Sequence, residues 1–259
     1  MSLGPEHATL AGRVGVVTGA ALGLGAAIAG AFARFGAALA LCDRDAENLE
    51  ATAQVARESG VRVLTGQLDV RDAPAVADFF SRVGEQFGRA DVLVNNAGGG
   101  FQASFLDLSE RAEEALVREN FGSVAHCIRA FVPLVPEVGG SIVNLSSVEA
   151  HRAAPGFAVY AAMKAAVESL TRSLALELAD RNIRVNCVAP DMIPTPGMGA
   201  LPEGRTPLRG PGRPQDVAGA VVFLASELSA FVTGSTLHVD GGTRAAGGWR
   251  RAATGGWEI

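Results

Sequence analysis

Seven short apolar runs, each closing on polar residues and all but the last followed by an amphipathic stretch, constrain this 259-residue chain more than anything else in it. The runs fall at about 14–17, 38–42, 61–67, 92–94, 141–145, 184–189 and 235–239. Continuously apolar runs of this length read as strands buried on both faces, not as half-exposed strands that alternate. The stretches between them predict helices over 26–35, 46–59, 74–87, 110–132, 157–180 and 214–226. Pro74 and Pro214 suit first helical turns, and Pro133 stops the fourth helix. Strands and helices in alternation close as a parallel sheet with right-handed crossovers. The expectation is an α/β chain of one domain with a seven-stranded, doubly wound parallel sheet and helices on both faces. Its core spans about 10–243, and the tail from 244 to 259, with Trp249 and Trp257, receives no assignment.

Composition narrows the function classes. A formal net charge of −5 argues against a general affinity for nucleic acid or anionic membrane, and no run of about twenty apolar residues is present. The start, Met1-Ser2-Leu3-Gly4-Pro5-Glu6, lacks a secretory layout, so the cytoplasm is the expected location. Cys42, Cys127 and Cys187 are scattered, as are His7, His126, His151 and His238; neither a disulfide framework nor a metal site is expected.

In a doubly wound sheet, ligands bind beyond the carboxyl ends of the strands. After the first run comes Thr18-Gly19-Ala20-Ala21-Leu22-Gly23-Leu24-Gly25, then a helix. Strand, glycine turn and helix is the context in which a backbone approaches a pyrophosphate and a helix N-terminus faces it. A tight turn that is merely glycine-rich is the plain alternative. Asp43 ends the second run, where a carboxylate can accept from both ribose hydroxyls of an adenosine and repel a 2′-phosphate. That favours NAD over NADP, as does the uncharged Leu22 in the glycine loop; Arg44 pulls the other way. Alternatively, Asp43 caps the helix that starts near Ala46. Asp69 follows the third run, Asn95-Asn96-Ala97-Gly98 the fourth, Ser146-Ser147 the fifth, and Pro190 to Thr195 the sixth. Asn120, inside a helix, needs either a tertiary partner or an exposed position.

Tyr160, the only tyrosine, lies four residues before Lys164, which places phenol and ammonium on one helical face. At roughly 5 Å and an effective dielectric of about 20, the ammonium would favour the phenolate by about 3 kcal/mol, or roughly two pKa units. An ordinary aromatic and lysine on a surface helix is the bland reading of the same pair.

These motifs, in this order and spacing, resemble the short-chain dehydrogenase/reductase family over about residues 10–243. The resemblance rests on Thr18 to Gly25, Asn95-Asn96-Ala97-Gly98, Asn120, Ser147, and Tyr160-Ala161-Ala162-Met163-Lys164; Val239-Asp240-Gly241-Gly242 matches the closing turn. It implies a Rossmann fold and assigns Tyr160 as general acid in ketone reduction and base in alcohol oxidation. Lys164 would bind the nicotinamide ribose and lower the phenol's pKa. Ser147 would bond the reacting oxygen, and Asn120 would hold a relay water. The cofactor would run over Gly19, Leu22, Gly23, Leu24 and Gly25, then Asp43 and Arg44. Asp69 and Val70 would meet the adenine. Asn96, Ala97 and Gly98 would line the cofactor, with Pro190, Ile193 and Thr195 near the carboxamide.

Substrate contacts are expected from Gly100, Phe101, Ser147, Glu149, His151, Phe157, Met192 and Met198, a largely apolar set that points to a hydrophobic secondary alcohol or ketone. Two features depart from the family. Asp191 stands where glycine is usual, either to recognise substrate or to cap the lid loop. The lid between Pro194 and Pro207 is short and proline-stiffened, which limits closure. The implied function is an NAD-dependent oxidoreductase. Reduction of a 3-oxoacyl thioester with NADPH is the alternative, and a catalytically silent dinucleotide sensor or scaffold a third reading. A homotetramer or homodimer, pairing the helices at 110–132 and 157–180, is also implied.

Overall fold

The computed structural model describes residues 2–191, 193–196, 206–208, 210–252 and 256–258. In chain order its main elements are β1 (Val14–Thr18), α1 (Gly23–Arg34), β2 (Ala38–Asp43), α2 (Ala46–Arg57), β3 (Val63–Gln67), α3 (Ala73–Phe87) and β4 (Val92–Asn95). There follow α4 (Glu110–Val117), α5 (Ser123–Phe131), β5 (Gly140–Leu145), α6 (Ala158–Glu177), β6 (Ile183–Pro190), α7 (Pro214–Ala225) and β7 (Thr236–Val239). β1 to β7 form one sheet in the order β3-β2-β1-β4-β5-β6-β7, with every neighbouring pair parallel. The chain steps outward from β1 to β3, then returns to start the other half at β4. That reversal opens a crevice between the carboxyl ends of β1 and β4.

Period-2 alternation divides the core between the two faces of the sheet. Val17, Leu39 and Leu41 pack with Ile28 and Phe32 of α1, Leu49 of α2 and Val221 of α7. Val14, Val16, Ala40 and Cys42 point the other way, against Phe79 and Phe80 of α3, Phe131 of α5 and Val167 of α6. Each fully buried Phe or Leu of this kind contributes about 1.5–3 kcal/mol. Both layers are therefore needed, and the continuous apolar runs follow from burial on two faces.

Two sequence expectations change. The helix expected over 110–132 is not one α-helix: α4 and α5 are joined by a π-helical turn, Arg118–Gly122, in which the N–H of Ser123 donates to the carbonyl of Arg118. The tail, left unassigned from sequence, contains α8 (Thr243–Ala246) and an antiparallel pair, β8 (Arg250–Arg251) and β9 (Trp257–Glu258). Among the described residues no helix is long and apolar enough to cross a membrane.

Candidate active site

The carboxyl ends of the strands surround a cleft of about 1000 Å³. At its floor, β1 and β4 are tied together. The Thr18 hydroxyl accepts from the N–H groups of Asn96 (3.1 Å) and Ala97 (3.0 Å). The Asn96 side chain returns its amide to the carbonyls of Thr18 (3.0 Å) and Gly19 (2.9 Å). Gly19 sits at φ +64°, and a Cβ on Gly25 would lie only 1.9 Å from the Gly19 oxygen, so the first turn of α1 rests directly on the loop. The residue before that turn, Leu22, offers no side-chain cap, and the turn holds no acidic residue. Free N–H groups and the positive helix end therefore face the cleft, which is a cradle for an anion.

Asp43, at the end of β2, accepts from the N–H of Ala21 (3.0 Å) and of Asp45 (3.1 Å). It does not cap α2; Asp45 does, accepting from the N–H of Asn48 at 3.1 Å. Its carboxylate lines the cleft with Arg44, whose guanidinium lies 3.6 Å from Glu119. Asp69 and Val70 line the same end. The Asp69 carboxylate is bound by the Arg71 guanidinium at 2.9 Å, and that hydrogen bond holds its pKa below the usual carboxylate range.

Across the cleft, Asn120, Ser147, Tyr160 and Lys164 converge. A Cβ on Gly98 would be 2.9 Å from Asn120 Oδ1 and 3.2 Å from Lys164 Nζ, so three separate segments meet at one spot. Asn120 is wholly buried. It donates to the carbonyls of Gly99 (2.8 Å) and Leu116 (3.0 Å) and accepts from Gly99 N–H (3.1 Å). The tertiary partner expected for a mid-helix asparagine is thus the loop after β4, and the π turn supplies the bend that lets the amide reach it. Both amide hydrogens are committed to backbone, so at most a lone pair of Oδ1 remains for a water. Ser146 is buried and donates to Glu168 at 2.7 Å, whereas Ser147 lies beside the phenol and lowers its pKa.

The electrostatics differ from the simple sequence estimate. Lys164 Nζ lies 5.5 Å from the Tyr160 ring centroid, at about the expected separation. Yet the phenol's pKa is raised above its ordinary value, first by burial, with the Ser147 hydrogen bond lowering it and the charge of Glu149 raising it again. Lys164 donates to the Leu145 carbonyl at 2.9 Å, and its own pKa is driven down to about 8, chiefly by burial. Attraction between the pair is outweighed by the desolvation of both members, which their spacing in the sequence does not reveal.

A depressed lysine pKa has a consequence for stability. The unfolded chain binds the proton more tightly, so the folded state carries a penalty that is full below about pH 8 and fades as pH rises towards the unfolded value near 10.5. The shift corresponds to about 3 kcal/mol, from which the lost bond to Leu145 takes back about 1 kcal/mol. Lys164→Met should therefore raise the melting temperature of the cofactor-free protein at pH 7 by several degrees. That gain should shrink between pH 8 and 10. Calorimetry showing no gain at pH 7, or the same gain at pH 10, would contradict the assignment.

The outer wall departs from an apolar lining. Gly100, Phe101 and Phe157 line the cleft there, but so do Gln102, Glu149 and Asp191. Arg152 pairs with Glu149 at 2.7 Å and lies 3.3 Å from Asp191. Asp191 also accepts from the Thr243 hydroxyl at 2.7 Å, which fastens α8 to the wall. His151 does not line the cleft; its ring turns inward to Glu168, at 2.9 Å. Pro190, Ile193 and Thr195 do line it. The expected contacts Met192 and Met198, and most of the lid, lie outside the described residues. Sequence reasoning passed over Glu119 and Glu168. The second was findable, because it follows Lys164 by four on the same helical face.

Residues 19–244 match a family model described as enoyl-(acyl carrier protein) reductase. The 3-oxoacyl-[acyl-carrier-protein] reductase FabG of Thermotoga maritima is 39% identical over 241 residues, covering 90% of this chain and 98% of that one. Carveol dehydrogenase from Mycobacterium avium, solved in complex with NAD, superposes with a TM-score of 0.87 at 31% identity, over 90% of this chain and 98% of that chain. A 7α-hydroxysteroid dehydrogenase complexed with NADH and 7-oxo glycochenodeoxycholic acid superposes at 0.89 with 30% identity, over 93% and 98%.

Proposed function

Because this chain belongs to the short-chain dehydrogenase/reductase family, we propose that it is an NAD-linked oxidoreductase interconverting a secondary alcohol and its ketone, with Tyr160 as the general acid and base. The observation that carries this reading is the convergence of Tyr160, Ser147 and Lys164 on one end of a cleft whose other end is an uncapped helix N-terminus. A dinucleotide fits those residues. Gly19 and Gly25 let the backbone approach a pyrophosphate, and Asp43 has no capping duty and faces the cleft. When bound there, the nicotinamide supplies or accepts the hydride.

The chain's own residues handle the proton and the oxygen. With its pKa raised, the phenol is protonated at neutral pH and can donate to a carbonyl oxygen. Ser147, whose hydroxyl carries one hydrogen, turns that hydrogen from the phenol to the same carbonyl oxygen when substrate is present. Lys164, buried between the phenol and the loop at Gly98, would hold the ribose; Asn120 holds that loop in place. Phe101 and Phe157 would take an apolar substrate body, with Glu149 and Asp191 at its polar margin. The Thermotoga maritima relative supports a second reading, reduction of a 3-oxoacyl thioester with NADPH. Asp43 and the uncharged Leu22 oppose the 2′-phosphate that this reading needs.

A screen of secondary alcohols with NAD, followed through the absorbance of the reduced nicotinamide, tests the proposal; turnover of none would end it. Cofactor choice has its own test. Asp43→Ala removes the charge that repels a 2′-phosphate and should narrow the NADH-to-NADPH affinity ratio at least tenfold, about 1.4 kcal/mol. Equal use of both cofactors by the unmutated protein would sink the selectivity argument.

A further inference from the structure

The mechanism above makes no use of Glu168, a carboxylate only 5% exposed and one turn beyond Lys164 on α6. Two donors meet at its Oε1: the Ser146 hydroxyl at 2.7 Å and His151 Nε2 at 2.9 Å. With the carboxylate oxygen as acceptor, the ring nitrogen facing it carries the hydrogen. These two donors bracket Ser147. Ser146 precedes it directly, and His151 closes the 3₁₀ turn Val148–His151, of which Ser147 is the N-cap. The turn is short and internally bonded, with Glu149 N–H on Ser147 Oγ (3.2 Å) and Ala150 N–H on the Ser147 carbonyl (3.0 Å). Fixing both of its ends therefore fixes Ser147. From the far side the ring of His238 packs on His151, centroids 4.6 Å apart, which leaves the His151 ring seated on the carboxylate.

We propose that Glu168 is a positioning residue for the reaction, clamping both flanks of Ser147, through Ser146 and His151, onto the helix that carries Tyr160 and Lys164. Ser147 and Tyr160 belong to different elements, the turn after β5 and α6, and their separation has to be set by something that touches both. One carboxylate oxygen does so. Two bonds of 2.7 and 2.9 Å to a single oxygen suit a brace whose tolerance is a fraction of an ångström.

The proposal rests on the oxidoreductase reading, so its test pairs an activity readout with one that needs no turnover. Steady-state kinetics use an alcohol from the screen above. Independently, tyrosine labelled with ¹³C at Cζ gives a single resonance, since Tyr160 is the only tyrosine, and Ser147→Ala marks where that resonance goes when the serine is lost. Glu168→Ala should lower kcat about 10–100-fold, the range expected for misplacement of about 1 Å, with the dissociation constant of NADH changed less than about threefold. Its resonance should move most of the way towards that of Ser147→Ala. Glu168→Gln keeps an acceptor oxygen and should restore kcat to within about fivefold of the unmutated protein. If Glu168→Ala does not fold, the double variant Ser146→Ala with His151→Gln carries the same expectations. A wild-type kcat with an unmoved resonance would overturn the proposal, as would Glu168→Gln failing as badly as Glu168→Ala. If the unmutated protein turns over no alcohol, the oxidoreductase reading fails and the resonance alone decides the clamp.

Discussion

Tyr160→Phe is expected to cut turnover by about 10²–10⁴-fold, the range supplied by a positioned general acid, while leaving NADH affinity within about threefold. The substitution removes one oxygen and no ring. The edge-to-face contact with Phe157, centroids 6.5 Å apart, and the lysine beneath the ring both survive it. What disappears is the hydroxyl that would pass a proton to the reacting oxygen beside Ser147. The sign of the pH dependence follows from the raised pKa. Ketone reduction needs the phenol protonated, so it should hold steady through neutrality and fall only as pH climbs through that raised value. Alcohol oxidation needs the conjugate base and should rise over the same range. Steady-state rates in both directions against pH, with NADH fluorescence titration for affinity, read all of this. A kcat for Tyr160→Phe within tenfold of wild type would remove the phenol from the mechanism.

Gly25→Ala should be nearly as severe, by a different route. The added Cβ would lie 1.9 Å from the Gly19 oxygen and 2.7 Å from the Asn96 amide, and the first of these is backbone. No side chain can swing aside, so α1 must retreat from the loop it rests on. Retreat opens the anion cradle and strains the Asn96 bonds to Thr18 and Gly19. Cofactor affinity should fall a hundredfold or more, about 3 kcal/mol, and the overpacking should lower stability by about 1–3 kcal/mol. Gly30→Ala in the same helix is the matched control. Its nearest neighbour would be Arg34 at 3.7 Å, an ordinary contact, so alanine there should stabilise by about 0.5–1 kcal/mol. Thermal shifts with and without NADH separate the two cases. A Gly25→Ala protein that still gains its full shift on NADH addition would show that the close approach is dispensable.

How far the sequence could be read depended on the range of the interaction in question. The strands were legible because burial on both faces writes an unbroken apolar run, and runs such as Leu39 to Cys42 sit where they were expected. The residues gathered at the cleft were legible too, since parallel strands deliver all their carboxyl ends to one edge. What escaped was side-chain direction at that edge. His151 and Glu149 are two residues apart on one short turn, yet one faces Glu168 and the other the cleft. No periodicity applies to a 3₁₀ turn of four residues. The phenol's pKa escaped for a related reason: desolvation depends on everything packed around Tyr160, whereas the pair Tyr160 and Lys164 is written locally. The break in the helix at Asn120 was half visible, as an asparagine that needed a partner, but the π turn that brings it there leaves no local mark.

That turn also limits how this stretch of chain can change length. A π turn accommodates one residue more than an α-helical turn over the same span, and an α-helix advances about 100° per residue. Removing a single residue from Arg118–Gly122 would let regular helix re-form, but everything before it would be rotated by about that angle relative to α5. Leu116, now buried, would swing off the core, and the Asn120 amide would lose the carbonyls of Leu116 and Gly99 together. Helix phase, not helix content, is what the extra residue sets. Insertions and deletions should therefore be tolerated on the exposed stretch before α4, around Leu106, and excluded between Leu116 and Ser123.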